Sequence, residues 1–352
     1  MKTKTRKFNF VILSVLLMVG ASTYAAEDPF SKFAKDVKIR DQAMLKAVEQ
    51  IEERWDRFYD STVEDYYVYS KDGRVRRRAN FSDESPDKGF LEVAVVDVKS
   101  KKEAQKLLSK AVESALRERA GKQELLKDQV QLNQQPLTKK NVRRRLEELK
   151  KKVTETIVST KKGKKTVYSV RLEFAPDHLK KRAQVYAKLV KKYAGKYGVP
   201  PALIFAVMHT ESYFNPVAKS SVAYGLMQLV PKSGARDAYK KVFKRDKIVH
   251  PSYLYVPENN SRLGVAYLGI LEKQFKRAKN RNLRTYLMIS AYNTGAGNVS
   301  RAFIGKTRLS AAFAKINSFS SNAGFKHLVR NLPYEETRHY LERVNKRMPL
   351  YR

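Results

Sequence analysis

The chain has 352 residues, with 72 lysines and arginines against 35 aspartates and glutamates and a formal charge of +37 at pH 7. That length holds one or two domains, each able to bury its own core, and the charge favours polyanionic partners without specifying a fold. Cysteine is absent, which excludes disulfides, thiolate metal sites, a thiol nucleophile and acylation of a cysteine.

Lys2, Lys4, Arg6 and Lys7 precede a short apolar run from Phe8 to Gly20, and Ala21-Ser22-Thr23-Tyr24-Ala25-Ala26 offers small residues for cleavage. The pattern predicts a secretory signal peptide over residues 1–25, with an uncleaved membrane anchor as the alternative. No later apolar run is long enough to cross a bilayer. Export to the periplasm counts against specific nucleic-acid binding despite the charge; non-specific binding of that kind would be steeply salt-dependent.

Residues 27–60 carry Phe33, Val37, Ala43, Met44, Val48 and Ile51 at three- and four-residue steps and are predicted helical, ending on Trp55 and Phe58. Strands follow at Tyr66–Tyr69 and Arg74–Phe81 around the turn Lys71-Asp72-Gly73, and a third at Gly89–Val98. Glu103–Arg119 reads as a helix with Leu107, Leu108, Val112, Ala115 and Leu116 on one side and Gly121 as its cap. A short helix carries Val142, Leu146 and Leu149. Val153–Ser159 and Thr166–Phe174 then form a second hairpin, in which Tyr168, Val170, Leu172 and Phe174 alternate with polar residues. The lysines and arginines at the turns and edges suit plain solvated edge protection as well as they suit binding of a polymer.

Ala175-Pro176-Asp177 marks a break. Beyond it the strand pattern stops, and helices are predicted over 178–197, 201–213, 225–241, 258–278, 282–292, 297–304 and 334–346. The expected organisation is a basic α+β N-terminal domain, 26–176, followed by an all-α domain, 177–352.

The candidate chemistry centres on Ala202–Val230. Leu203, Val207 and Met208 share a helix face with Glu211, where loss of solvent should raise the carboxyl pKa. Pro216 ends that helix, and Gly225-Leu226-Met227-Gln228 is predicted to open the next. Two further constellations are Ala291-Tyr292-Asn293-Thr294-Gly295-Ala296-Gly297 and Glu335-Glu336-Thr337-Arg338-His339-Tyr340; the latter reads equally as an ordinary amphipathic helix. A single shielded glutamate beside polar groups suits general acid catalysis at a glycosidic oxygen. Glycosidases ordinarily pair two carboxylates; no second acid stands out, since Asp237, Glu258 and Glu272 lie on solvent-facing segments. One residue acting first as acid and then as base fits that shortage. The five histidines lack ligand spacing, His209 reads as a packing residue, and neither metal nor cofactor is expected.

Glu211-Ser212-Tyr213-Phe214-Asn215-Pro216, Ser220, Gly225-Leu226-Met227-Gln228, Ala291-Tyr292-Asn293 and Glu336-Thr337-Arg338-His339-Tyr340 together resemble the lytic murein transglycosylases, with their goose-type-lysozyme-like catalytic domain. The N-terminal half is similar, more loosely, to that of a membrane-bound member, through Trp55, Asp65-Tyr66, Asp72-Gly73 and the approach from Tyr168 to Leu179. The resemblance implies a lysozyme-like (transglycosylase) fold for 177–352. It implies an exotransglycosylase, a glycosidic-bond lyase, cutting the β-1,4 bond between N-acetylmuramic acid and N-acetylglucosamine of peptidoglycan glycan strands and leaving 1,6-anhydromuramoyl ends. Glu211 would be acid and then base, assisted by the sugar's N-acetyl group. Tyr292 would orient Glu211, Ser220 would contact the N-acetyl side, and Met227, Gln228, Asn293 and Tyr340 would line the saccharide groove. The interval from Glu211 to Gly225 is one residue shorter than the family spacing, the difference falling between Ser220 and Val222. Without a cysteine to acylate, a soluble periplasmic enzyme is the simpler expectation, held to anionic cell-wall or outer-membrane components by charge. A hydrolytic muramidase on the same fold and a non-catalytic cell-wall-binding protein are the alternatives.

Overall fold

Alternation in the N-terminal half builds a sheet. The computed structural model describes residue 42 and residues 45–82, 89–120 and 122–352. The predicted signal segment, most of the predicted helix before residue 45 and the Gly121 cap lie outside them; residues 45–52 of that helix are described and helical. The described residues divide into two compact units, one up to Glu118 together with Glu124–His178, the other Arg119–Gln123 together with Leu179–Arg352.

In the first unit, β1 (Asp65–Tyr69), β2 (Val75–Asn80), β3 (Phe90–Val95), β4 (Thr154–Thr160) and β5 (Gly163–Glu173) form an antiparallel sheet in the order β1-β2-β3-β5-β4. Opposite charges sit across neighbouring strands: Arg78 pairs in register with Glu92, and Glu92 with Arg171, a favourable cross-strand arrangement. Trp55 is fully buried with Ile51, Ala94, Val96 and Val167, and its indole N–H donates to Gly73 O at 2.7 Å. Helix α1 (Lys101–Arg117) packs along β2, β3 and β5 through residues that include Leu108, Val112 and Ala115. It starts two residues before the predicted Glu103 because the Ser100 side chain accepts from Glu103 N while Glu103 Oε2 accepts from Lys99 N, a reciprocal N-terminal cap. A small hairpin pairing Gln131–Leu132 with Gln135–Pro136 was not foreseen; its turn residues Asn133 and Gln134 both take left-handed φ, 49° and 62°.

The second unit is helical: α2 (His178–Tyr197, its first residue in the other unit), α3 (Pro201–Ser212), α4 (Gly234–Phe243), α5 (Pro257–Phe275), α6 (Arg281–Thr294), α7 (Ala296–Ile304), α8 (Leu309–Ile316), α9 (Ser321–Asn331) and α10 (Glu335–Arg347). An α+β region followed by an all-helical one is therefore the architecture, as the sequence pattern indicates. Among the described residues no helix is long and apolar enough to cross a membrane.

Helix α3 runs through the middle of this unit. It begins on Pro201 at its first position, and Leu203, Ile204, Ala206, Val207 and Met208 are all fully buried. Burial on every side replaces the single apolar stripe expected there. Around α3 lie α10 and a short 3-10 turn at Met348–Tyr351. His209 is buried as a packing residue, stacked against Phe214 with its Nδ1 3.0 Å from the Tyr351 hydroxyl. The predicted helix over 225–241 is corrected: residues 225–228 form a turn, closed by a bridge between Tyr224 and Leu229, and α4 starts only at Gly234. Gly225 at φ +79° and Gln228 at φ +42° are left-handed, and Pro231 supplies no N–H for a continuing helix. Helices α8 and α9 were not among those predicted.

Candidate active site

The site is built where α3 ends. Glu211 occupies the last turn of α3 and is half-buried: protein surrounds its carboxyl while part of the side chain stays open to solvent. Its pKa is pushed up to about 8, chiefly by loss of solvent; Tyr340 opposes this, Glu336 adds to it and Arg343 opposes it. At neutral pH Glu211 is therefore protonated.

Two tyrosines flank it. Tyr340, on α10, is buried, and its hydroxyl interacts with the Glu211 carboxyl without completing a hydrogen bond of full geometry. Tyr292, on α6, feels Glu211 electrostatically, but its hydroxyl donates to Met227 O at 2.8 Å. Tyr292 thus fixes the 224–228 turn and makes no hydrogen bond to Glu211. Burial holds both phenols well above the ordinary tyrosine range, so both remain neutral donors.

The other expected site residues are placed as follows. Asn293 Oδ1 accepts from Thr337 Oγ1 at 2.6 Å, and its Nδ2 donates to Glu336 Oε1 at 3.5 Å, joining α6 to the first turn of α10. Ser220 is half-buried, its Oγ accepting from Ala223 N at 3.1 Å within the 218–225 loop. Met227 and Gln228 do not line a groove with their side chains. Met227 is 0% exposed and packs where any side chain on Gly264 would collide with its sulfur. The Gln228 amide donates to Ala218 O and Gly225 O, at 3.1 and 3.0 Å, holding the turn that carries it.

Residues to which sequence reasoning gave no supporting role, Asn260 and Arg182 never singled out at all, hold this arrangement. Asn260 on α5 is fully buried and bonded to three backbone groups: it accepts from Met227 N at 2.9 Å and donates to Tyr224 O and Leu254 O, both at 2.8 Å. Gly225 is required beside it, because a Cβ there would overlap Leu254 O and Asn260 Nδ2. The Ser212 hydroxyl donates to Leu226 O at 2.7 Å, tying the end of α3 to the same turn. After Ser212 the chain leaves through Tyr213 and Phe214, both left-handed at φ 48° and 59°, a conformation that costs a residue with a side chain about 1–2 kcal/mol. Their carbonyls accept from the buried Arg182.

Glu336 corrects the expectation that no second acid is near. Glu258 pairs with Lys192 at 2.9 Å, Glu272 with Arg284 at 2.9 Å and Asp246 with Arg236 at 2.7 Å, so these acids are engaged elsewhere, whereas exposed Glu336 acts on Glu211. Among the described residues no three His, Cys, Asp or Glu side chains are grouped as a metal site needs. Chemically, the site offers one protonated carboxyl on a half-buried residue, two neutral phenols and one exposed acidic side chain.

Residues 188–312 match the family model described as the transglycosylase SLT domain. The chain is 42% identical over 204 residues to the membrane-bound lytic murein transglycosylase C of Serratia proteamaculans, which covers 56% of this chain and 56% of that relative. With the protein of the same name from Yersinia enterocolitica it shares 41% over 192 residues, 54% of this chain and 53% of the relative. The chain thus spans about half the length of the curated relatives it matches. Among solved structures it is similar to the 70-kDa soluble lytic transglycosylase of Escherichia coli, at 29% identity over 50% of this chain and 25% of that one with a TM-score of 0.37.

Proposed function

We propose that this chain, whose residues 188–312 carry a transglycosylase SLT domain, cleaves the β-1,4 bond between N-acetylmuramic acid and N-acetylglucosamine in peptidoglycan glycan strands without consuming water. The observation that carries the reading is Glu211, a half-buried residue whose carboxyl, surrounded by protein, keeps its proton at neutral pH. Such a group is an acid matched to its working pH. Glu211 gives its proton to the glycosidic oxygen as the bond from C1 of the muramic acid breaks, with the N-acetyl oxygen assisting at C1. The Glu211 carboxylate then takes the proton of the C6 hydroxyl, whose oxygen bonds to C1 and closes the 1,6-anhydro ring. Glu211 is protonated again at the end: its first proton leaves on the departing sugar and the C6 hydroxyl replaces it.

The flanking residues suit that cycle. Tyr340 favours the charged form of Glu211, which steadies the acid in its carboxylate interval. Tyr292 acts through the Met227 carbonyl, fixing the turn beside the acid; Ser220 and Asn293 contact the sugar, while Met227 and Gln228 shape the loop from inside. That the similar proteins are membrane-bound lytic murein transglycosylases supports a wall substrate and an envelope location. The predicted signal segment supports export to the periplasm, and the chain's charge of +37 suits contact with anionic cell-wall or outer-membrane components.

A second reading, hydrolysis on the same scaffold, is favoured by Glu336, an exposed second acid that acts electrostatically on Glu211, since glycosidases that admit water ordinarily pair two carboxylates. Incubating purified sacculi with the mature protein and its Glu211→Gln variant tests the shared premise. The parent should solubilise the wall at least about a thousandfold faster than the variant; equal rates would remove Glu211 from the chemistry.

A further inference from the structure

A buried cation stands behind the acid and does not touch it. Arg182 on α2 is 2% exposed. Its Nε donates to Tyr213 O at 2.8 Å and its Nη2 to Phe214 O at 3.0 Å. These two residues follow Glu211 by two and three positions, and both are left-handed. The same turn closes α3, with Tyr213 N donating to His209 O at 3.0 Å and Phe214 N to Met208 O at 3.4 Å. Neither residue is a glycine, so the turn needs an outside hold to persist. A planar fork that reaches both carbonyls supplies it in a way that a point charge cannot.

We infer that Arg182 is a positioning residue for Glu211, fixing where the acid's helix ends and so where its carboxyl sits. Arg182 donates to the backbone just beyond the acid, and among the influences on the Glu211 carboxyl it does not figure, so it works through the turn. Burial draws its own pKa down to about 10, which leaves it a cation across the working range. If the fork is removed, the 213–214 turn relaxes, Glu211 moves towards water, and its proton is held less tightly. The direction of the acid's pKa and the rate should then change together.

The inference rests on Glu211 being the acid of the reaction proposed above, and one of its tests does not need turnover. The carboxyl 13C resonance of Glu211, assigned by its loss in Glu211→Gln, is titrated in the parent, Arg182→Met and Arg182→Lys, alongside kcat and KM on soluble glycan strands. Arg182→Met should lose about tenfold in kcat with KM changed less than about twofold, and Glu211 should titrate lower, towards the ordinary carboxyl range. Arg182→Lys keeps the cation but serves one carbonyl well, so both effects should appear at reduced size; that variant decides the question should Arg182→Met not fold. Parent titration and parent kcat in a folded Arg182→Lys or Arg182→Met, with only Tm lowered, would make Arg182 a plain packing residue and overturn the inference. A parent that cleaves no glycan, but in which Glu211 titrates high and drops in Arg182→Met, would sink the functional reading and leave the positioning role standing.

Discussion

Glu211 keeps its proton because of where its backbone ends, and that has consequences for both rate and stability. Since the acid must be protonated to act, kcat/KM should be level below neutrality and fall as pH rises through about 8. Tyr340 favours the carboxylate, so Tyr340→Phe should move that fall to higher pH while slowing turnover about tenfold; a shift to lower pH would mean that the hydroxyl does not interact with the acid as described. Stability has the opposite sign to a salt-bridged carboxylate. The folded carboxyl titrates above its unfolded value of 4.5. Between the two the native chain holds a proton the unfolded chain lacks, and the stabilisation present below about 4.5 is lost as pH rises through about 8. Allowing for the solvent that reaches the side chain, the loss is about 2 kcal/mol. Thermal unfolding of the parent and Glu211→Gln at pH 5 and pH 8.5 checks it: the variant should lose less Tm over that interval.

At the scale of elements, the turn over 224–228 is the part that the sequence conceals and the structure makes decisive. Gly225 and Gln228 are read as a helix start because Leu226, Met227 and Leu229 are apolar, yet the turn's hydrogen bonds come from distant residues. Asn260 lies 33 residues beyond Met227, and nothing local announces it. Asn260→Ala removes a hydrogen bond from each of three backbone groups, of which only Tyr224 O keeps another donor, Leu229 N, so it should destabilise by about 3 kcal/mol and lower activity by loosening the Met227 carbonyl that Tyr292 holds. Urea unfolding at neutral pH measures the first; an unchanged midpoint would mean that water replaces the amide. Glu211 itself was legible, since its helix start, its apolar neighbours and the Pro216 stop are all local. Glu336 was not: its approach to Glu211 depends on α10 packing against α3. Strands β1 and β2 were legible from the Lys71-Asp72-Gly73 turn between them, β3 from its apolar run and β5 from its alternation. The Gln131–Pro136 hairpin was not, because Asn133 and Gln134 take left-handed turn positions where glycine is the usual signal.

Across the whole molecule, charge is unevenly divided. Residues 179–352 hold 33 lysines and arginines against eight acids, which is +25 of the chain's +37. The half that carries the candidate site is thus the strongly cationic one, and retention on sacculi should weaken at least about tenfold between 0.05 and 0.5 M salt as screening shortens; salt-independent retention would assign binding to uncharged contacts. The central claim, however, is that one carboxyl closes a ring without water. Digesting sacculi in 18O-labelled water and weighing the released muropeptides tests it most directly. The released products should be 1,6-anhydromuramoyl species free of label, absent with Glu211→Gln. Reducing-end products carrying one 18O would contradict it and make Glu336 and a bound water the partners of a hydrolase.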